Sequence, residues 1–481
     1  MHFNIFSKLG VTVKDTGFSI DELIVRMQDL FQQKAFPELL KEILMLFDEV
    51  LRILVMKKSQ LPVQCECGCT DYVLDGTRSR TIRTPIGTVV LPAIMRVKCA
   101  SCGRTRVPLL DICGIEAYQS KTRGLEKIAL EKCVETSYRR VEKDFASSNA
   151  VRIDHSTFHR WMLRTDADDI SVPPDVITSV PGAAKPRPVQ LFADGTKCKC
   201  VGDDGPKHHG PAKTGDVKVL LGIREDGAVF PVGTWSGHET WKEIGDELER
   251  RKIKFPEGSV LICDGEQEIS EELAKIVNGY HQRCQWHTQR DLYHTMWQDG
   301  GNEEKCRPFR DRLKKVMAIE LPKESFEKVS DKDKQELQKK TDAAEKDMET
   351  LIKDVRSGGY VKAANYLENA KKSIFAYVRR WLLLGIACPK ASSFIERTMR
   401  ELGRRIKKLA YNWKEEGLNK VTNILLKIFA SNEEWEKYWR EKMDLNQKVL
   451  RFIGVFSGEP VHCCLRKSDP SGSRYRFAEC A

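Results

Sequence analysis

The runs QLFADG at 190–195 and SVLICDG at 259–265 decide the fold of this chain. Each begins as a short apolar segment that predicts a buried strand, and each ends in an aspartate followed by a glycine, at Asp194 and Asp264. Two carboxylates at the tips of neighbouring strands repel each other unless a divalent cation lies between them. The pattern therefore predicts a magnesium site for phosphodiester chemistry. The alternative interpretation is a pair of ordinary Asp-Gly turns.

The residues between and after these runs predict the rest of a sheet. Residues 216–237 are typical of two strands joined by the Glu-Asp-Gly hairpin signal at 225–227. Residues 238–253 predict a helix with Trp241, Ile244 and Leu248 on one face, and residues 268–279 predict a second helix closed by Asn-Gly. Three antiparallel strands, a helix and a strand that carries the second aspartate are the order of a ribonuclease H-like fold.

Length, composition and charge limit the class of protein. A chain of 481 residues with 41% hydrophobic residues indicates a globular protein of about two to four domains. The net charge of +11 suits a polyanionic partner if the basic residues cluster, and simple solubility is the alternative. We see neither a signal peptide nor an apolar run of the roughly 20 residues that a membrane helix needs. We therefore expect a cytoplasmic protein with no membrane partner.

Cysteines at metal-ligand spacing mark residues 61–115. The run CECGC at 65–69 is followed by CASCG at 99–103, with a predicted β-hairpin between them. Two cysteine knuckles on hairpins are typical of a zinc ribbon, in which four thiolates hold a structural Zn²⁺. The first knuckle offers three thiols for two places, and unligated buried cysteines are the alternative. The predicted zinc ligands are Cys65, Cys67, Cys99 and Cys102, with Cys69 as the alternate.

Residues 116–170 predict a helix-turn-helix DNA-binding domain. The first helix would cover 137–145, and Asp154 or Ser156 would cap the second, with Phe158, Trp161 and Met162 facing inward. Any pair of short helices can mimic this pattern. The residues that would face a DNA groove are Thr157, His159 and Arg160.

A third acidic residue lies in the run SSFIER at 392–397. Ser393 and Glu396 satisfy the capping-box rule, which gives Glu396 an ordinary structural explanation. The helix that follows is strongly basic, which suits a substrate phosphate beside a metal ligand. Its candidate DNA-binding residues are Arg397, Arg400 and Arg404.

Several of these features occur together in one order along the chain. Asp194, Asp264, the run CQWH at 284–287, a charged helical stretch and Glu396 resemble DDE transposases of prokaryotic insertion sequences. The resemblance is to the Mutator-like class, whose C-x-x-H signature would be Cys284 and His287, and it spans roughly 120–430.

The resemblance implies an activity and its residues. Asp194, Asp264 and Glu396 would be the three catalytic carboxylates and would hold two Mg²⁺ or Mn²⁺ ions about 4 Å apart. The enzyme would bind the terminal inverted repeats of its element, cleave double-stranded DNA there and join the 3′-OH ends to target DNA. It would act as a homodimer or larger assembly on the DNA of a prokaryotic cell. The fallback residues for the third position are Glu401, Glu415 and Glu416.

Three alternatives concern the C-x-x-H run. In the first, Cys284 and His287 are half of a zinc site that His281 or Cys263 completes. In the second, they are a packed thiol and a hydrogen-bonded imidazole. In the third alternative, Trp286 or His287 contacts an unstacked base beside the cut.

Two other functions also remain open for the chain. One is a non-catalytic DNA-binding protein derived from a transposase, and the other is a ribonuclease H-like nuclease without strand transfer.

The expected fold is therefore a multidomain α+β protein, in which an all-helical insertion interrupts a ribonuclease H-like α/β core. The domains in order are an N-terminal helical region at 1–60 with a capping box at Ser19 and Glu22, the zinc ribbon at 61–115, the helix-turn-helix at 116–170, a proline-rich linker at 171–189, the first part of the core at 190–300, the helical insertion at 301–390, the last part of the core at 391–450 and a tail at 451–481.

Overall fold

The computed structural model describes residues 31–148, 151–178, 186–200, 213–237, 239–407, 413–430 and 432–443. The chain divides into two compact units. The first unit comprises Met1–Lys127, Asp144–Arg152 and Trp439–Ala481, and the second comprises Ile128–Lys143 and Ile153–Tyr438. The fold is mixed α+β, as the sequence predicts. The predicted capping box at Ser19 and the tail at 451–481 lie outside the described residues.

The first unit contains a helix packed on a three-stranded antiparallel sheet. Helix α1 is Phe36–Met56, and the strands are β1 at Tyr72–Thr84, β2 at Gly87–Cys99 and β3 at Thr105–Arg106. The tight turn between β1 and β2 forms at the predicted Pro-Ile-Gly run, where Thr84 pairs with Gly87. Asp48 of α1 is buried and accepts hydrogen bonds of 2.9 and 3.0 Å from the Met95 amide of β2. This buried polar contact fixes the register of α1 on the sheet.

Short helices follow the ribbon. They are α2 at Pro108–Ile112, α3 at Arg123–Glu135, α4 at Tyr138–Ser148 and α5 at His155–Arg164. The Asp154 side chain caps α5 by accepting a 2.8 Å hydrogen bond from the Ser156 amide, and Phe158, Trp161 and Met162 are buried. The predicted capping residue and apolar face of the second helix are therefore present. Helix α4 runs to Ser148, which is three residues beyond the predicted end at residue 145.

The second unit contains a five-stranded sheet. Its strands are β4 at Gln190–Cys200, β5 at Lys213–Ile223, β6 at Val229–Gly237, β7 at Val260–Cys263 and β8 at His281–Arg283. Their order is β6-β5-β4-β7-β8. Strands β4, β5 and β6 are mutually antiparallel, while β7 and β8 run parallel to β4. The hairpin predicted at 225–227 joins β5 to β6.

The predicted end of the first strand is wrong. Strand β4 does not stop before Asp194, because β5 pairs with it past that point, with Asp194 opposite Val219 and Cys200 opposite Lys213. The Asp194-Gly195 pair therefore lies inside a strand and is not a turn. Asp264-Gly265 is a turn, since β7 has ended and Gly265 has a φ of 99°, which favours glycine.

Helices fill the remainder of the second unit. Helix α6 at Trp241–Arg250 carries the predicted apolar face, and its Thr240 and Glu243 form a capping box. The helix predicted at 268–279 is broken into α7 at Gln267–Glu271 and a 3-10 turn at Leu273–Val277, which ends at left-handed Asn278. Further 3-10 turns lie at Pro174–Val176 and Phe326–Lys328. The later helices are α8 at Gln285–Gln298, α9 at Glu303–Val316, α10 at Asp331–Ser357, α11 at Val361–Lys371, α12 at Ala376–Leu384, α13 at Ser393–Ile406, α14 at Glu415–Ala430 and α15 at Asn432–Met443.

The last helices pack on the sheet, and this packing positions the candidate site. Helix α13 lies against β4, with the rings of Phe394 and Phe192 5.9 Å apart. Helix α14 lies along β6, where the Thr234 amide donates a 3.0 Å hydrogen bond to the side-chain oxygen of Asn423. Within the described ranges, no helix combines the length and apolarity needed to cross a membrane.

Candidate active site

Two aspartates lie at the same level of the sheet, Asp194 within β4 and Asp264 directly after the end of β7. Strands β4 and β7 pair in parallel from Gln190 opposite Val260 to Phe192 opposite Ile262, so the same register places Asp194 beside Asp264. The Gly195 amide donates a 2.8 Å hydrogen bond to Asp194 Oδ1, and the Glu266 amide donates a 3.1 Å hydrogen bond to Asp264 Oδ1. Each carboxylate is thus held by its own turn or strand and retains a second oxygen for a ligand.

Asp194 lies in the electric field of two other acidic groups. The pKa of Asp194 is raised from 3.8 to about 6, first by burial and then by the negative charges of Asp264 and Glu396. The Gly195 amide and His287 act in the opposite direction. A carboxylate that is costly to ionise among other carboxylates is the environment in which a divalent cation binds favourably. The donor set, which consists of carboxylate oxygens, matches the hard-cation preference of Mg²⁺.

Glu396 lies on helix α13, near His287. Its predicted role in a capping box with Ser393 is wrong. Helix α13 begins at Ser393, so the N-cap residue is Ser392, which makes no side-chain capping bond. Ser392 Oγ lies instead 3.2 Å from His287 Nδ1. Glu396 Oε1 lies 4.0 Å from His287 Nε2, and about a third of its side chain is exposed. The carboxylate therefore faces the site and not the end of its own helix.

The spacing of the three carboxylates bears on how they would hold metal. In the part of the chain that the structure describes, the ligand oxygens of Asp194, Asp264 and Glu396 do not all lie within 4.8 Å of one another. One ion that touched all three would require side-chain movement. Two ions about 4 Å apart bridge a wider set of ligands.

Cys284 and His287 pack together under Glu396. Burial opposes ionisation of the Cys284 thiol, but hydrogen bonds from His287 and Ser392 outweigh it and lower the pKa of the thiol. Burial likewise opposes protonation of His287, but its hydrogen bond to Cys284 outweighs this and raises the pKa of the imidazole. Among the described residues, neither side chain joins a third metal-ligating group within 4.8 Å. The observed arrangement is therefore a packed thiol and a hydrogen-bonded imidazole that orients toward Glu396.

The four predicted zinc ligands lie together in the first unit. The Sγ atoms of Cys65 and Cys102 are 3.5 Å apart, those of Cys67 and Cys99 are 3.7 Å apart, and all four lie within 4.8 Å of one another. The backbone amide of Cys102 holds the pKa of the Cys99 thiol at about 6, well below its usual range. The alternate, Cys69, contacts the backbone of Asp71 instead. This cluster has the donors and the spacing to hold a tetrahedral Zn²⁺.

The predicted DNA-binding side chains lie on two helices. On α5, His159 and Arg160 are exposed and Thr157 is half-buried, and Arg160 donates a 3.0 Å hydrogen bond to the hydroxyl of Thr157. On α13, Arg397 and Arg400 are exposed.

Other basic residues of α13 already contact the protein and are less available to bind DNA than the sequence suggests. Arg404 forms two 2.8 Å hydrogen bonds with Glu401, a fallback for the third acid. Arg405 is buried and donates to the carbonyl of Cys133, so it is a structural residue. The other two fallback acids, Glu415 and Glu416, lie in the first turn of α14.

Two residues near the site escape sequence reasoning. The sequence has two adjacent serines, Ser392 and Ser393, and only the fold shows that Ser392 is the one that contacts His287. Arg283 stands directly before the C-x-x-H run, and nothing in the local sequence marks it as buried. Its surroundings come from helix α11, which is distant along the chain.

Comparison with known proteins finds little. No family model and no curated protein matches the sequence. Among solved structures, the chain matches the Drosophila P element transposase strand transfer complex at 13% identity and a TM-score of 0.25. The match covers 72% of this chain and 88% of that one. Similarity at this level shows neither a shared fold nor a shared activity.

Proposed function

We propose that this chain is a DDE-type DNA transposase built on a ribonuclease H-like core. It binds the terminal inverted repeats of a prokaryotic mobile element, cleaves DNA at the ends and joins the 3′-OH ends to target DNA. The observation that carries the proposal is that Asp264 and Glu396, which lie far from Asp194 along the chain, are both near enough for their charges to raise its pKa. The sheet order β6-β5-β4-β7-β8, with β7 and β8 parallel to β4, supports the same core.

The proposed chemistry assigns each acidic residue a task. Asp194 from β4 and Asp264 from the turn after β7 bind two Mg²⁺ or Mn²⁺ ions, and Glu396 adds the third carboxylate from α13. When bound, such ions lower the pKa of a nucleophilic water and stabilise charge on the leaving 3′ oxygen. Pairing of β4 with β5 holds Asp194, and Asp264 follows directly after β7, whereas Glu396 sits on a helix that packs on β4 through Phe394.

His287 and Ser392 have a positioning role in this proposal. Ser392 Oγ engages Nδ1 of the imidazole, so that Nε2 faces Glu396 at 4.0 Å. The raised pKa of His287 favours a positive charge beside Glu396. The attraction between that charge and the carboxylate orients Glu396.

The remaining domains supply DNA binding in the proposal. A Zn²⁺ held by Cys65, Cys67, Cys99 and Cys102 stabilises the small first-unit sheet, and helix α5 presents His159 and Arg160 to the terminal repeat. Double-stranded DNA is the partner for both end binding and target joining. Pairing of two ends requires a homodimer or a larger assembly.

A cleavage and joining assay tests the proposal. Purified full-length protein is incubated with labelled DNA from either side of its reading frame, with a supercoiled plasmid and with Mg²⁺ or Mn²⁺. We expect the wild type to cut and join, and Asp194→Asn, Asp264→Asn and Glu396→Gln to lose both steps while they retain the gel shift. Glu401→Gln on the same helix is the matched control and stays active.

Each alternative function gives a different result in this assay. Cutting without joining would indicate a nuclease, and binding without cutting would indicate a DNA-binding protein that has lost catalysis. Loss of the gel shift in the Asp194→Asn and Asp264→Asn variants would mean that these aspartates are structural.

A further inference from the structure

A cavity of about 450 Å³ opens beside the Asp264-Gly265 turn. One wall is the turn after β7, a second is β8, and the third is helix α11 from the helical stretch between the second and third acids. The residues that matter here are Gly265, His281, Arg283, Tyr366, Asn369 and Lys372. The cavity is distinct from the place where the three carboxylates meet, but its rim begins one residue after Asp264.

Arg283 is the unusual member of this lining. The residue is only 5% exposed. Its guanidinium donates one long hydrogen bond, 3.4 Å, to the carbonyl of Gly265. Among the described residues, Arg283 forms no ion pair with a carboxylate, and its Nε has no hydrogen-bond partner. A buried guanidinium without an acidic partner is costly, so such a residue indicates a site that an anion completes.

The guanidinium is held in place from two sides. It lies 4.5 Å from the centroid of the Tyr366 ring, a cation–π contact, and its other face rests on Gly265. A Cβ at position 265 would lie 2.2 Å from the Arg283 Cζ, so any larger residue there would force the guanidinium to shift. The backbone amide of Arg283 donates a 3.3 Å hydrogen bond to the carbonyl of Ser373, which ties β8 to the end of α11. The charge is therefore positioned before any ligand arrives.

The other ionisable groups around the cavity leave it positive. Lys372 is exposed at the rim, and Glu271, the acidic lining residue, accepts a 2.9 Å hydrogen bond from Gln267. Burial and the charge of Arg283 lower the pKa of His281 to about 4, so His281 is neutral near pH 7. Two cations against one acid select an anionic ligand.

We infer that this cavity binds a phosphate group of the DNA strand on which the three carboxylates act. The inference rests on the proposed function and adds to it a binding residue, Arg283, with Asn369 supplied by helix α11 and Lys372 directly after that helix. A planar guanidinium pairs with two phosphate oxygens at once, which a single ammonium cannot do. The helical stretch between the second and third acids thus contributes directly to substrate binding, because the cavity has no third wall without it.

Binding of a short single-stranded oligonucleotide, measured by fluorescence anisotropy at several salt concentrations, tests this inference. The full-length protein carries Asp194→Asn throughout and EDTA is present, so that no cutting intervenes. We expect Arg283→Met to weaken binding about tenfold and to lower the slope of log affinity against log salt by about 0.7, the value for one phosphate contact on a single strand. Arg283→Lys keeps the charge and loses only the bidentate geometry, so its salt slope stays near that of the parent. Arg250→Met removes an exposed guanidinium outside the cavity and is the matched control.

The outcomes separate this inference from the proposed function. Arg283→Met protein that is folded and binds with the parent affinity and slope overturns the cavity site, whether or not the enzyme joins DNA. If Arg283→Met fails to fold, Lys372→Gln at the rim decides: a lower slope supports the site and an unchanged slope overturns it. If wild-type protein never cuts or joins DNA but the slope still falls, the transposase proposal fails and the phosphate site stands.

Discussion

Replacing Asp194 by asparagine in metal-free protein tests the electrostatics of the candidate site without any DNA. Asparagine keeps the oxygen that accepts the 2.8 Å hydrogen bond from the Gly195 amide and removes only the charge. The pKa of Asp194 is raised from 3.8 to about 6, so the folded chain holds this proton more tightly than the unfolded chain. The ionised side chain therefore destabilises the fold. The penalty is absent below about pH 4, grows between about pH 4 and 6 and is complete above that range.

The magnitude follows from the shift. Each pKa unit corresponds to about 1.4 kcal/mol, so the full penalty at about pH 8 is at most about 3 kcal/mol. Burial of the asparagine amide offsets part of the gain, which leaves an expected stabilisation of about 1–3 kcal/mol. In a domain of this size, each kcal/mol moves the thermal midpoint by about 2–4 °C. At about pH 4 the two proteins should differ little, because Asp194 is then protonated.

Thermal unfolding in EDTA at both pH values measures this difference. The matched control is Asp226→Asn, because Asp226 also precedes a glycine and accepts a 2.9 Å hydrogen bond from a nearby amide, that of Ala228, but is exposed. We expect the control to leave the midpoint unchanged at both pH values. Addition of Mg²⁺ should stabilise the wild type and leave the Asp194→Asn protein nearly unaffected. A variant that is less stable than the wild type at about pH 8, or equally shifted at both pH values, would refute the claim that ionised Asp194 destabilises the metal-free fold.

Three further predictions concern single side chains. Cys99→Ser should lose one equivalent of zinc, measured by metal analysis, and lower the thermal midpoint, whereas Cys69→Ser should retain the zinc because its thiol lies outside the cluster. Trp286→Ala should weaken single-stranded DNA binding in an anisotropy titration by about 1–3 kcal/mol, since the ring is exposed beside the site, while the similarly exposed Trp297→Ala should bind normally. Gly265→Ala should lower the thermal midpoint, at a cost of about 1–3 kcal/mol for a left-handed backbone that alanine rarely adopts, and a midpoint equal to the wild type would contradict the φ of 99° at this turn.

The parts of the fold that local sequence determines were predictable. The Asp-Gly hairpin between β5 and β6, the face of helix α6 and the cap of helix α5 at Asp154 each depend on residues within a few positions of one another. The preference for Cys67 over Cys69 follows from the glycine after it, which lets the knuckle turn, and the four thiols indeed meet. Short-range patterns carry these features because the same residues that signal them also form them.

The features that sequence reasoning missed depend on partners elsewhere in the chain. The length of β4 is set by its pairing with β5, so the apolar run before Asp194 marks only the buried half of the strand. Glu396 resembles a capping residue locally, but packing of α13 on β4 moves the helix start and frees its carboxylate. Arg283 looks like an ordinary charged residue until α11 covers it. Tertiary contacts override local preference at each of these places.

Direct titration of the full-length, zinc-loaded protein with Mn²⁺, followed by electron paramagnetic resonance of the free ion, tests the central claim. The account predicts two bound ions in the wild type and in the Glu401→Gln control, and loss of binding in Asp264→Asn and in Glu396→Gln. Equal numbers of bound ions in all four proteins would contradict it, because the three carboxylates would then not share a metal site.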